Sequence, residues 1–592
     1  MTEPFSRLCG LENEYVVRAP PGISGLRPTT GAVIDALMTV LRDSFGAVAT
    51  TESDTRDVFV ANGGRFYFEH LHETQGLLEG ATPECTSPFE LLLYQRAQER
   101  ILVRAAELSR GRRAVGTLSR TENVAFVRNA RDAYGNLYGP QESYEVDVAR
   151  GAALVAYRLA LGLTALVMVG WWAMALALVL TLVPVVLACL LVVGVLALAT
   201  RPFAKGLVDD LVFAFDALIS GPTFLPRVGQ AVYVLVAPVV LANALAEWLA
   251  HRQAHNALAT FLATRAIIAG TGSLDEFGAF QLSERNPSVT KLRSWAWRDM
   301  QQDTAQMLED ARGGKHNYRA ERALFRTKAV VESALMGACT LQLRSFFAVF
   351  RNKQRLEIMA SDANRADVAE LLKIGTTLLV LDMDEAGALR GLPRAKDPVA
   401  AMHAVSADPS LRCRIALSDG SERTALEVQR MYQRRAHQWL GTLPVHHLEA
   451  TRIVRLWGEV LDALERDPRD LVGTLDWPTK RFLLHSVDAS FAEGRAPLAV
   501  RRTVDIRYHE LGDGYFESFL QRGVARRLVD ADAVEQATMT PPASTPAAVR
   551  ATLLREAKTE LLSVSWDRVV LRDPLGGKKK RLVLLRGGAN GT

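Results

Sequence analysis

The sequence predicts an α+β chain with an apolar insertion in its middle, and three observations predict it. Short β-rich runs and amphipathic helical runs alternate through residues 1–150. From Leu159 to Thr200 the chain carries no charged residue. Beyond about residue 256 the mixed alternation resumes. The expected parts are the first part of one domain at 1–150, a membrane insertion at 151–256, the second part of that same domain at 257–498 and a small C-terminal domain at 499–592.

In the first segment, RLCGLENEYVVR reads as a strand, with Glu12 and Glu14 two apart and so on one face. TGAVIDALMTVLRDSFG (30–46) has helical spacing. DVFVANGGRFYFEH reads as a hairpin around Asn62-Gly63-Gly64, a turn that accepts positive φ. Residues 87–108 read as an amphipathic helix: Ser87 is the N-cap, Pro88 takes the first helical position, and Glu90 lies three after the cap. In the second segment, 371–387 and 412–422 are the clearest pieces. TPPASTPAA (540–548) reads as a linker, and the basic cluster Lys578–Arg581 as a solvated turn.

The uncharged run is about twice the ~20 residues that one membrane span needs. Pro184 lies inside it, Arg150 and Arg158 precede it, and Arg201 and Lys205 follow it. The expectation is a transmembrane hairpin with helices at about 159–178 and 180–200. Basic flanks at both ends suit a hairpin whose ends both lie in the cytoplasm. The apolar stretch 231–250 is shorter and contains Pro238; it is expected to be interfacial or re-entrant.

Composition narrows the rest. The 592 residues are 49% apolar with a formal net charge of +5. No long basic run interleaves with aromatics, so nucleic acid is not an expected partner. The five cysteines are scattered without a CxxC pair, which fits a reducing compartment. The N-terminus has no apolar h-region, so no cleavable signal peptide is expected.

The chemistry concentrates in NGGRFYFEHLHETQGLLEGATPEC (62–85). Alternation puts Phe66 and Phe68 on one face of the strand and Arg65, Tyr67 and Glu69 on the other. Several carboxylates, an arginine and a tyrosine on one face are costly to bury. They suit divalent cations and nucleotide phosphates, because carboxylate oxygens are hard ligands and a guanidinium matches phosphate oxygens. A solvent-facing strand with salt bridges explains the same spacing equally well. His70 and His72 lack a third zinc ligand, and His251 and His255 lack the HExxH signature.

GLENEY (10–15), NGGRFYFEH (62–70), GATPEC (80–85) and YGPQESY (138–144) resemble the PafA/Dop family of Pup ligases and Pup deamidase/depupylases. FLATRAIIAGTG, RLEIMASDAN, LLKIGTTLLVLDMDE, LDALERDPRDLVGTLDWPTKR and SWDRVVL follow family segments in order, the later ones closer to Dop. The resemblance implies a glutamine-synthetase-like fold carrying ATP and Mg2+, and chemistry at the C-terminal Gln or Glu of a Pup-like protein modifier or its conjugates. It implies metal ligands at Glu12, Tyr67, Glu79 and Glu142, with Glu73 as the alternative to Glu79; Glu14, on the same strand face as Glu12, is expected to join them. Nucleotide contacts are implied at Arg65, Thr82 and Trp566, and the catalytic carboxylate at Glu69. Here the chain departs from the family, which has an aspartate at that position; Glu357 likewise stands where the family usually has histidine. The expected function is a membrane-tethered, cytoplasmic-facing deamidase and isopeptidase. A ligase at the same site and a non-catalytic binder of nucleotide or a Pup-like tail are the alternatives.

Overall fold

The computed structural model describes residues 3–19, 28–51, 54–72, 75–109, 124–131, 138–199, 245, 248–293, 322–326, 350–557, 560–572 and 580–584. The strands of the first segment are β1 (Cys9–Arg18), β2 (Val48–Thr51), β3 (Asp54–Phe59), β4 (Arg65–His72), β5 (Gln75–Ala81), β6 (Ala125–Val127) and β7 (Gln141–Asp147). Later come β8 (Ser273–Leu274), β9 (Phe280–Gln281), β10 (Val289–Arg293), β11 (Arg322–Arg326), β12 (Lys353–Ile358), β13 (Arg414–Ala416), β14 (Glu422–Thr424), β15 (Leu561–Val564), β16 (Arg568–Arg572) and β17 (Lys580–Leu584). Among the described residues, one large sheet runs in the order β10-β11-β12-β7-β1-β5-β4-β3-β2-β15-β16-β17, with β6 on β1.

This order settles how the segments relate. β7 precedes the insertion and β12 follows it, yet they pair antiparallel from Lys353↔Asp147 to Ile358↔Glu142. The first and second segments are therefore one folded unit. At the other end β15 pairs with β2 through Ser563↔Thr51, so the C-terminal strands extend the same sheet. Arg550 clamps this end. Its guanidinium lies 4.8 Å from the Phe59 ring and 4.7 Å from the Trp566 ring, and it bonds Glu84 Oε2 (2.6 Å) and the Gly63 carbonyl (2.8 Å).

Helices cover one face of the sheet: α1 (Thr30–Ser44), α2 (Pro88–Ser109) and, beyond the insertion, residues Asp367–Glu385. The predicted cap operates: Ser87 Oγ caps α2 by accepting from Glu90 N, and Thr29 Oγ1, which the sequence reading did not name, caps α1 by accepting from Ala32 N. Phe66 and Leu78 are buried beneath α1 and α2. The hairpin turn forms as read: Gly63 has φ +83°, and a Cβ there would meet Ala547 Cβ at 2.9 Å. β5 was not anticipated, because its Gly-interrupted sequence lacks a clean alternation.

The insertion differs from the expected hairpin. Ala152–Ala199 is one continuous helix, α3, with Pro184 inside it. At ~1.5 Å per residue it is ~72 Å long. No turn-forming or charged residue interrupts 178–182, and Thr181 Oγ1 bonds the Ala177 carbonyl at 3.0 Å instead of breaking the helix. Among the described residues no helix is long and apolar enough to cross a membrane. The interfacial stretch expected at 231–250 falls mostly outside the described residues. Ala149 N donates to the Ala250 carbonyl at 3.2 Å, so the insertion leaves and returns at one point.

Candidate active site

The face of the sheet opposite the helices carries the predicted cluster. Register explains why. Glu14 lies across from Glu79, Glu79 across from Tyr67, and Tyr67 across from Asp57, making a row over β1, β5, β4 and β3. Directly opposed residues on antiparallel strands share a face. Glu12, Ala81, Arg65 and Phe59 form the next row, with Gln141 opposite Glu12 on the other side.

Contacts tighten the cluster. The Tyr67 hydroxyl lies within hydrogen-bond reach of both the Glu12 and the Glu79 carboxylates. A single hydroxyl proton cannot serve two acceptors, so the three oxygens crowd. Glu79 is pushed up to about 10 by burial first, then by its hydrogen bond with Glu69 and the charges of Glu14 and Glu12; Tyr67 works the other way. Burial and the same two carboxylates push the Tyr67 phenol far above its ordinary range. Glu14 accepts the Gly139 amide at 2.9 Å. Gly139 is needed there: its φ is +132°, and a Cβ would meet Ala130 Cβ at 2.8 Å. Glu69, at the strand's solvent end, is exposed.

Arg65 bonds Asp57 Oδ1 through Nε at 2.7 Å, and its guanidinium lies 4.7 Å from the Tyr67 ring. Burial opposes its charge, but Asp57 outweighs burial and raises the guanidinium above its usual value. Asp57 thus belongs to this face. So do Arg355 and Glu357 of β12, which meet at 2.8 Å, with Arg355 Nη2 3.8 Å from Glu12. The sequence signal for both was the two-residue spacing in RLEIM, which only pairing with β7 could bring beside Glu12.

Three expected site residues do not join the cluster. Glu142 lies across from Leu11, one step out of register with Glu12, and so points to the helical face. There Arg265 grips it bidentately at 2.6 and 2.8 Å, and Tyr144 donates to it at 2.7 Å. Burial alone would raise this carboxyl, but Arg265 holds it below the ordinary range. Thr82 is buried, and its hydroxyl accepts the Leu11 amide at 3.0 Å, binding β1 to the end of β5. Trp566 packs edge-on against Phe59 with centroids 5.1 Å apart, holding the C-terminal strands to the rim of the face. The His251 and His255 rings stack 5.7 Å apart and are buried, His255 also against Phe325 at 4.1 Å. Glu73 and the side chains of His70 and His72 lie outside the described residues.

Chemically, the remaining donor set is hard oxygen: Glu12, Glu14, Glu69, Glu79 and Tyr67. Its like-charge crowding is what a divalent cation would relieve. Among the described residues no three acidic, histidine or cysteine side chains close around one point that could hold a metal ion. The Tyr67 hydroxyl stands between two of the carboxylates.

The profile of the family described as Pup-ligase protein matches residues 7–298 and 321–570. The chain belongs to this family. It is 38% identical over 228 residues to a Pup deamidase/depupylase of Mycolicibacterium smegmatis, covering 38% of this chain and 45% of that one. It is 34% identical over 226 residues to a Pup–protein ligase of Micrococcus luteus, covering 37% and 48%. These alignments span less than half the length of either relative. Among solved structures, the complex of prokaryotic ubiquitin-like protein Pup with its ligase PafA superimposes with a TM-score of 0.62 at 20% identity, covering 99% of this chain and 91% of that one. PafA in complex with ADP gives 0.57 at 20%, covering 91% and 89%. At such identity the likeness is one of fold: this family member shares the large mixed sheet of PafA.

Proposed function

We propose that this family member is an ATP- and Mg2+-dependent enzyme acting at the C-terminal Gln or Glu of a Pup-like protein modifier, as a deamidase and isopeptidase. The observation that carries the reading is the convergence of Glu12, Glu14, Glu69, Glu79 and Tyr67 on one open sheet face, with Arg65 beside them. Glu12, Glu14, Glu79 and Tyr67 would hold the cation, and Arg65 would meet nucleotide phosphate. A bound cation would supply positive charge to offset the carboxylates and the nucleotide phosphates, and with them would help to fix the substrate's terminal carboxamide. Glu69 is the exposed carboxylate of the set and can act as base toward water or as nucleophile at the amide carbon. Its neighbour Glu79, raised toward protonation, holds a proton within hydrogen-bond reach of it. Ligation at the same site is the second reading, favoured by relatives of both names. A non-catalytic binder is the third, favoured by Glu69 itself: it is one methylene longer than the family aspartate, and misplacement by ~1 Å can cost ~10²-fold in rate.

The same reading includes a membrane tether with the catalytic unit on the cytoplasmic side. The uncharged sequence 159–200 supports it. So do the exposed apolar side chains of α3, with Leu159 at 69%, Leu166 at 72% and Leu191 at 69% exposure.

The test is detergent-solubilised full chain with ATP and Mg2+, given a Pup-like peptide ending in glutamine and a peptide–lysine isopeptide conjugate, read by mass. Conversion of amide to acid, or release of the conjugate, with a loss of ~10²-fold or more in Glu69→Ala, is the expected result. Activity unchanged in Glu69→Ala removes Glu69 from the chemistry. Turnover gained only in Glu69→Asp identifies a decayed site.

A further inference from the structure

Arg65 on β4 and Arg355 on β12 stand at the two sides of the carboxylate row, and they are used differently. Arg65 gives both Nε and Nη2 to the Asp57 carboxylate. The Arg355 side chain is 47% exposed; its Nε donates to Ser143 Oγ at 2.9 Å, and its Nη2 lies 2.8 Å from Glu357 and 3.8 Å from Glu12. Ser143 and Glu357 thus occupy the Nε–Nη2 edge of this guanidinium and leave its Nη1–Nη2 end. Among the described residues Nη1 of Arg355 makes no hydrogen bond. Register explains the placement. Glu357 lies across from Ser143, and Ser143 across from Gly10, on the face that Glu12 shares. Ser143 and Gly10 are small, so the face is low beside the guanidinium.

An ion pair with so exposed an arginine adds little to stability, so scaffolding does not explain Arg355. What it supplies is positive charge beside Glu12, where carboxylates would otherwise repel an incoming anion. The terminal residue of the proposed substrate brings such an anion. Its side chain carries the amide, and its main chain ends in an α-carboxylate. Both belong to one residue, so a face that holds the amide must also accept the carboxylate. The end of a guanidinium meets a carboxylate with two parallel N–H donors.

We propose that Arg355 binds the free α-carboxylate of the modifier's C-terminal residue, and so makes the site select a terminal Gln or Glu over the same side chain within a chain. This rests on the reading of the substrate given above, but on a residue that reading does not use. Arg355 touches the end of the substrate and not the scissile amide, so its effect belongs to binding. A nucleotide phosphate is the other anion that could take the same donors, and nucleotide affinity separates the two.

The experiment uses the full chain in detergent with ATP and Mg2+. Two Pup-like peptides ending in glutamine are compared, one with a free α-carboxylate and one capped as the α-methylamide, and side-chain deamidation is read by mass. The expected result is a kcat/KM about 30-fold higher for the free acid, carried by KM, as for a hydrogen bond to a charged group. In Arg355→Met the ratio should fall to within about threefold of one, and Arg355→Lys should keep part of it, because charge remains without the fork. A residue that only holds the sheet would slow both peptides alike and leave the ratio. A wild-type ratio near one overturns the proposal without any variant, and so does an unchanged ratio in Arg355→Met. A fall in ATP affinity beyond about tenfold with the ratio intact assigns Arg355 to phosphate instead. If neither peptide is turned over, calorimetric binding decides. A preference for the free acid that Arg355→Met abolishes keeps the carboxylate site while the enzymatic reading fails; equal affinity for the two peptides, or no binding of either, overturns it.

Discussion

The two faces of the central sheet solve the same problem in opposite ways. On the helical face buried carboxylates meet cations. Glu99 sits between Arg96 and Arg365 at 2.9 Å each, Asp367 meets Arg96 at 2.8 Å, and Glu370 meets Lys373 at 2.8 Å. Burial alone would raise Glu99, but Arg365 and Arg96 hold it far below its usual range. On the open face Glu79 meets Glu69, Glu14 and Glu12 instead, and its carboxyl is driven up to about 10. Charge balanced within the chain is scaffold. Charge left unbalanced by the chain is a place for a ligand that brings the missing sign.

This contrast is testable by removing one partner on each face. The largest effect is expected from Arg265→Met on the closed face. It strands the Glu142 carboxylate without its partner and should cost ~3–5 kcal/mol, read as a fall in the denaturation midpoint. An unchanged midpoint would mean that the two faces do not differ as described.

On the open face, Glu79→Gln should act with the opposite sign. The folded-state value of Glu79 lies above its ordinary 4.5. Its contribution to stability is therefore full below about pH 4.5 and is lost as pH rises toward about 10. Without divalent cations the variant should match the wild type at pH 4.5 and exceed it by ~2 kcal/mol at pH 8, most of the shift being discounted for relaxation at ~1.4 kcal/mol per unit. Melting followed across that range checks this, and Mg2+ should stabilise the wild type more than the variant. A variant less stable than wild type at pH 8 would show that the row is internally balanced.

The smallest effect separates scaffold from site at their boundary. Thr82→Val removes the acceptor of the Leu11 amide and should cost ~1 kcal/mol. Nucleotide affinity, measured by calorimetry, should not change, because the hydroxyl is already engaged. A loss of affinity beyond tenfold would return Thr82 to the site.

Much of the site was legible before any fold was known. Arg65, Tyr67 and Glu69 share a face because strand alternation is local, and the Gly63 turn needs only the conformational freedom of glycine. Glu142 shows where that legibility stops. Its motif says acidic residue beside a strand, but the register of β7 on β1 is set by packing across the sheet, and a single residue's offset chooses the face. Arg355 was missed for the same reason: its partner Glu12 is separated from it by the entire insertion.

The sequence by itself determined the elements whose causes are local: capped helices at Thr29 and Ser87, the hairpin at Asn62-Gly63-Gly64, the uncharged run and the alternating face of β4. Tertiary structure alone decided what depends on distant partners. It joined β7 to β12 and so made one unit of two segments, and it drew the C-terminal strands onto β2. It also sent Glu142 to Arg265. Local chemistry is written in neighbours along the chain, whereas register and charge balance are set by residues that meet only when the sheet closes.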